Sequence, residues 1–137
     1  MRRYLLDTTP LAAYLNRRPT AIDLIGPWIA RREATTSALA YGEVVEYIKG
    51  SADFDRRLTQ LQRLLHDIRP YFLTLPILER YADLRRQLRP PHGPGLIGDI
   101  DTLIAATAME RGLTLVTVDS DFERVPRLDC LLISLRG

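Results

Sequence analysis

Arg3-Tyr4-Leu5-Leu6-Asp7-Thr8-Thr9-Pro10 opens with a short apolar run, meets an acid, and closes on a threonine–proline pair. The run reads as a buried strand. Thr9 fits as the N-cap of a helix with Pro10 in its first turn, extending to about Asn16. A strand handing straight over to a helix is the unit of a layered α/β chain, and the rest of the sequence repeats it. Thr20 and Asp23 fit a capping box that opens a second helix, ending near Arg32. Residues 33–36 read as a strand; Ser37 caps a helix over 38–49, and Gly50 stops it.

The next helix is expected over 53–67, because Phe54, Leu58, Leu61, Leu64, Leu65 and Ile68 fall on one stripe at helical spacing. Residues 71–75 are a strand candidate. Pro76 then starts a helix whose apolar face is Ile77, Leu78, Tyr81, Leu84 and Leu88. Arg89-Pro90-Pro91-His92-Gly93-Pro94-Gly95 is a loop by composition, placed to act as a lid or to wall a site. Residues 99–111 read as a helix with Asp99 as N-cap, rich in small residues and ended by Gly112. Residues 113–118 are the clearest strand, and 131–134 the last. Strands alternating with helices predict an α/β fold with a mostly parallel sheet. The 137 residues fit one domain, 1–137, with no internal repeat or linker.

Composition narrows the chemistry. With 46% hydrophobic and 26% charged residues, the balance is that of a globular protein with a proper core. One cysteine, Cys130, excludes an internal disulfide framework and a Cys-rich zinc site. It reads as a small buried apolar residue near the last strand. His66 and His92 lack zinc-like spacing. No leader-like or membrane-spanning stretch stands out, so a cytoplasmic protein is expected. The net charge is only +2, yet every cation but Lys49 is arginine, with doublets at 2–3, 17–18, 31–32, 56–57 and 85–86. Arginine forks suit phosphate, so these doublets fit a nucleic-acid backbone as well as a plain solvated surface.

Four acids hold special places. Asp7 follows the first strand, Asp119 follows the strand at 113–118, Asp101 lies in the first turn of its helix, and Glu43 lies about two turns into the helix after Ser37. In a parallel α/β sheet, strand C-termini and helix N-termini share one edge, where ligands bind. Glu43 can join them because helical side chains lean toward the N-terminus. Carboxylates gathered there repel one another unless protons or a cation neutralise them. Oxygen ligands without cysteine or a nearby histidine suit Mg²⁺, with Mn²⁺ as a substitute. Such ions activate water and stabilise charge on a phosphodiester. Each acid also has a plainer reading: Asp99 and Asp101 complement a helix dipole, Asp119-Ser120-Asp121 makes a polar turn, and Glu43 sits on a solvated helix face. Asp7 resists that treatment, because a carboxylate ending a buried strand is costly unpaired.

Four stretches resemble the motifs of PIN-domain ribonucleases, in order and across nearly the whole chain. They are Leu5-Leu6-Asp7-Thr8-Thr9, Tyr41-Gly42-Glu43-Val44-Val45, Ile97-Gly98-Asp99-Ile100-Asp101 with the Ala105-Ala106 helix core, and Val116-Thr117-Val118-Asp119-Ser120-Asp121-Phe122. In size the chain looks like the VapC toxins of type II toxin–antitoxin pairs. The resemblance implies a three-layer α/β/α sandwich and a Mg²⁺-dependent endoribonuclease that cuts tRNA or ribosomal RNA. It also implies 5′-phosphate and 3′-hydroxyl products, a homodimer, and inhibition by a VapB-type antitoxin. Asp7, Glu43, Asp101 and Asp119 match the acidic quartet, as catalytic residues and metal ligands. Asp101 is selected over Asp99 because it directly precedes the apolar helix core. Asp99 then serves as a cap or a ligand through water, and Asp121 as a structural residue. Thr8 and Thr117 are polar neighbours of the metal's water shell, and Arg89 a candidate phosphate holder. Three rivals remain: a phosphoacceptor, disfavoured because Lys49 is badly placed; a PIN-like module that binds RNA or a partner without cutting; and a metal nuclease acting on DNA. The helix over 53–67 is the candidate dimer face.

Overall fold

A computed structural model describes residues 1–136. Four strands, β1 (Tyr4–Leu6), β2 (Ala34–Thr36), β3 (Thr114–Thr117) and β4 (Cys130–Leu132), form one all-parallel sheet in the order β2-β1-β3-β4. β1 is central: Leu5 pairs Thr35 on one side and Leu115 on the other. Leu5 and Leu6 point to opposite faces of the sheet, and both are fully buried. Helices therefore cover both faces, as a parallel sheet requires, and the expected three-layer α/β/α sandwich is what the chain adopts.

Six helices do the covering: α1 (Thr8–Leu15), α2 (Pro19–Ala30), α3 (Ala38–Ile48), α4 (Phe54–Ile68), α5 (Leu75–Leu88) and α6 (Asp99–Arg111). Several boundaries follow from single residues. Ser37 accepts a hydrogen bond from the Leu39 N–H at 3.0 Å and starts α3 where expected. Thr74 does the same for α5 through Ile77 N–H at 3.4 Å. Gly112 ends α6 at φ +66°, a left-handed cap that a side chain would strain.

Other expectations need correction. Thr9 does not cap α1. The helix begins at Thr8, and Asp7 occupies the cap position without a capping side-chain bond. The Thr20 capping box does not form either. Pro19, whose ring presets φ and whose missing N–H costs nothing at a helix start, takes the first position of α2. The strand expected over 71–75 is reduced to a single parallel bridge between Tyr71 and Ser37. Tyr71 exchanges two backbone hydrogen bonds with Thr36 and Ala38, of 2.9 and 2.8 Å, after which Phe72 and Leu73 turn outward and α5 begins. The stretch is too short to extend the ladder before Thr74 caps the helix. On α5, Ile77, Leu84 and Leu88 are buried as expected, but Leu78 is exposed. β4 starts at Cys130, one residue early, and leaves the thiol partly buried. Asp119-Ser120-Asp121 opens a 3-10 turn (Ser120–Arg124) rather than a plain loop, pinned by the buried Phe122.

Candidate metal centre

Asp7 ends the central strand, and its backbone N–H still belongs to the sheet, donating to Val116 O at 2.9 Å. Its carboxylate is buried, with only 7% of the residue exposed. Burial pushes its pKa up, the Thr117 hydroxyl and the Thr8 backbone pull it back, and the charges of Glu43 and Asp119 push it up again. The Thr117 hydroxyl donates to Asp7 Oδ2 at 2.7 Å and itself accepts from the Asp119 N–H at 3.1 Å. One buried hydroxyl on β3 thus aims the Asp7 carboxylate and fixes the turn that carries Asp119. Asp119 in turn accepts from the Asp121 N–H at 2.8 Å, capping the 3-10 turn.

Glu43 reaches the same edge from α3. Thr8, the first residue of α1, donates to its Oε1 at 2.5 Å across 35 positions of sequence. Asp101, the third residue of α6, feels all of them. Burial, followed by the charges of Asp7, Asp119, Glu43 and Asp121, holds its pKa at about 6. These acids come from four separate segments, yet each raises the pKa of one carboxyl, so the structure brings the sequence-predicted quartet into one electrostatic field.

Asp99 stands apart. It is the first residue of α6, and Gly98 takes the cap position expected for it. Two positions along a helix lie about 200° apart around the axis. Asp99 accordingly turns to α5, where it accepts from Arg85 at 2.5 Å and from the Tyr81 hydroxyl at 3.2 Å. Asp121 pairs with Arg124 at 3.3 Å. Arg124 also donates to Leu96 O at 3.3 Å, tying the loop before α6 to the turn after β3. Sequence reasoning missed this link, since an arginine among many carries no positional signal. Arg89, the suggested phosphate holder, is exposed at the C-terminal cap of α5, and none of its side-chain contacts ties it to the acids.

Among the described residues, no group of three histidine, cysteine or acidic side chains is set tightly enough to cage a metal ion alone. The chemistry of the donors nevertheless suits a hard divalent cation. All the donors are oxygens, and their mutual repulsion is relieved by positive charge. Mg²⁺ takes few carboxylates directly and keeps several waters. The cleft that touches the cluster, about 410 Å³, takes Glu43 as one wall and Ile100 of α6 as another.

The PIN domain family model matches residues 4–128. In fold the chain is similar to VapBC2 from Rickettsia felis, solved bound to a DNA fragment from the promoter. That likeness has a TM-score of 0.83 at 22% identity and covers 96% of this chain and 98% of that one. The DNA-bound VapBC from Salmonella typhimurium matches with a TM-score of 0.82 at 20% identity, covering 96% and 98%. FitAcB from Neisseria gonorrhoeae matches with a TM-score of 0.76 at 20% identity, covering 93% and 96%. A search of curated protein sequences found no significant match.

Proposed function

Because the chain belongs to the PIN domain family, we propose that it is a Mg²⁺-dependent endoribonuclease, the toxin of a cytoplasmic VapBC-type pair held in check by a VapB-type antitoxin. The observation that carries the nuclease reading is the gathering of acids at one sheet edge: Asp7 aimed by Thr117, Glu43 held by Thr8, and Asp119 and Asp121 near the partly buried Asp101, whose pKa burial and these charges raise to about 6. Four acids around one point repel a phosphodiester unless a cation stands between them. The toxin reading draws its support from relatives of like fold described as VapBC and FitAcB, and from the match along almost their full length.

Asp7, Asp101, Glu43 and Asp119 would hold Mg²⁺ or Mn²⁺. The ion supplies charge neutralisation and Lewis-acid polarisation at a phosphodiester and the water that attacks it. The chain's own residues orient that chemistry. Thr117 fixes one oxygen of Asp7 and Thr8 fixes one oxygen of Glu43, leaving the second oxygen of each free to face the ion or to take a proton from water. The helix dipole at the start of α6 favours the ionised form of Asp101 and opposes part of the repulsion around it.

The direct test is incubation of the purified protein with total RNA in Mg²⁺ or in EDTA, beside Asp7→Asn. Cleavage in Mg²⁺ alone, lost in the variant, is expected. Cleavage that persists in EDTA overturns the metal chemistry; tight RNA binding without cleavage points to a binding module; cleavage confined to DNA moves the substrate.

Two further outcomes follow from the site. Thr117→Val deletes the hydroxyl that aims Asp7 and is expected to weaken Mg²⁺ binding about 10- to 100-fold with the fold retained. Calorimetric titration reads this directly, and an unchanged Kd removes Thr117 from the site. Metal binding also needs Asp101 ionised, and its pKa without metal is about 6. Mg²⁺ at a hundred times its pH 8 Kd is expected to add about 2.7 kcal/mol of stability at pH 8 and about half that at pH 5, where protonation weakens binding about tenfold. Without Mg²⁺ the sign reverses: the fold binds the proton more tightly than the unfolded chain, so stability falls as pH rises from 3.8 to about 6. Thermal melts with and without the ion at both pH values check the pair, and equal Mg²⁺ gains at pH 5 and 8 contradict it.

A homodimer is part of the same proposal, on a different face from the one the sequence suggests. α4 spends Leu61 and Ile68 on the core. Phe72, Leu73, Leu75 and Leu78, by contrast, are exposed by 68, 40, 73 and 39% at the α4–α5 junction, an apolar surface fit for a second copy. Phe72→Asp combined with Leu75→Asp is expected to yield monomers by light scattering; dimers that persist place the interface elsewhere.

A further inference from the structure

Three separate clefts lie in succession along α1, each sharing lining residues with the next. The first, about 300 Å³, begins at Thr8, whose hydroxyl holds Glu43, and runs to Asn16. The second, also about 300 Å³, shares Asn16 and adds Arg17, Arg56 and Arg57. The third, about 280 Å³, shares Arg17 and Gln60 and adds Arg63. From Thr8 to Asn16 is eight residues of chain, about 12 Å at 1.5 Å per helical residue. The row of clefts thus runs from Thr8, hydrogen-bonded to Glu43, to four arginines from the α1–α2 turn and α4, with Asp67 as the one acid in its walls.

The arginines are unequally engaged. Arg56 pairs with Asp53, and Arg57 bonds Asn16 and Ser51. Arg17 and Arg63 make no ion pair or side-chain hydrogen bond among the described residues. Two uncommitted guanidinium groups facing one groove favour an anionic ligand, and guanidinium forks match phosphate oxygens two at a time. The carboxylate cluster itself repels every phosphate except one bridged by a cation. Phosphates flanking the cut must therefore be held beyond that cluster, and this row of clefts sets unpaired positive charge about one helix length from it.

We propose that the groove between the α1–α2 turn and α4 carries the phosphate backbone of the RNA strand a few nucleotides from the cut, with Arg17 and Arg63 as its principal contacts. This rests on the ribonuclease reading and adds where the substrate lies. An acidic protein segment would satisfy the same charges, but only a substrate strand has to leave the site along its edge.

The test measures binding without cleavage. A fluorescein-labelled 20-nucleotide RNA is titrated with the full chain in EDTA across a range of NaCl, by anisotropy. Arg17→Ala with Arg63→Ala breaks no ion pair among the described residues, so the fold should hold, and circular dichroism checks it. The double variant is expected to bind tenfold or more weakly and to flatten the log–log salt slope by about 1.4, the share of two phosphates on a single strand. Arg86→Ala with Arg136→Ala removes the same charge elsewhere and is expected to change little. Equal losses in both pairs, or no loss in the first, overturn the groove assignment. Weakened binding of a labelled poly-glutamate peptide with RNA affinity intact also overturns it, in favour of a protein ligand. If the unmodified chain cuts RNA while the first variant binds as before, only the groove fails; if the unmodified chain neither binds nor cuts RNA, the ribonuclease reading fails.

Discussion

Replacing Asp101 by asparagine is expected to lower RNA cleavage about 1000-fold or more and, in EDTA at pH 7.5, to raise the melting temperature. The two effects have opposite signs because the carboxylate works against the fold in order to serve the site. Its pKa of about 6 arises from burial and from Asp7, Asp119, Glu43 and Asp121. At pH 7.5 it is ionised all the same, at a cost the unfolded chain does not bear. Asparagine keeps the shape and drops the charge. Because the group is only partly buried, solvent screening trims the gain to about 1 kcal/mol, or about 3 °C. Calorimetry in EDTA beside a cleavage assay in Mg²⁺ reads both. A variant that melts several degrees lower would mark Asp101 as a structural residue, and one that cuts normally would remove it from the chemistry.

The second large effect lies in the core. Phe122 is 1% exposed and anchors the 3-10 turn that Asp119 caps. Truncation to alanine leaves a cavity and is expected to destabilise the chain by about 3–5 kcal/mol, lowering the melting temperature by roughly 10 °C or more. Loosening the turn also frees Asp119, so Mg²⁺ affinity should fall in the variant even where it remains folded. Urea unfolding and calorimetric titration at low temperature separate the two effects. A loss below about 1 kcal/mol would mean that the Asp121-Phe122 pair has no anchoring role.

Much of this was legible before any coordinates, and the reasons differ by element. β1 and β3 announce themselves as apolar runs ending in acids, and the parallel edge rule then predicts that Asp7 and Asp119 meet. Ser37 and Gly112 were readable because a hydroxyl before a helix and a glycine after one each answer a backbone need. Tyr71 misled because β-forming residues pair only if length and partners allow, and the cap at Thr74 leaves no room. Thr9 misled because an acid at the end of a strand can occupy the cap position without using its side chain. Asp99 and Asp101, two apart and alike in chemistry, are separated only by which way the helix faces. Helical periodicity alone leaves that open; the motif resemblance selects Asp101, and the bonds of Asp99 to Arg85 and Tyr81 on α5 agree with it.

The order β2-β1-β3-β4 places a late strand against the earliest one. Synthesis runs from the N-terminus, so Asp7, Glu43 and Asp101 all leave the ribosome before β3 exists. Until Thr114–Thr117 pairs with β1, Asp7 has no Thr117 hydroxyl to aim it and the cluster has no Asp119. The acidic cluster of this topology is therefore complete only once β3 and the turn after it dock beside β1.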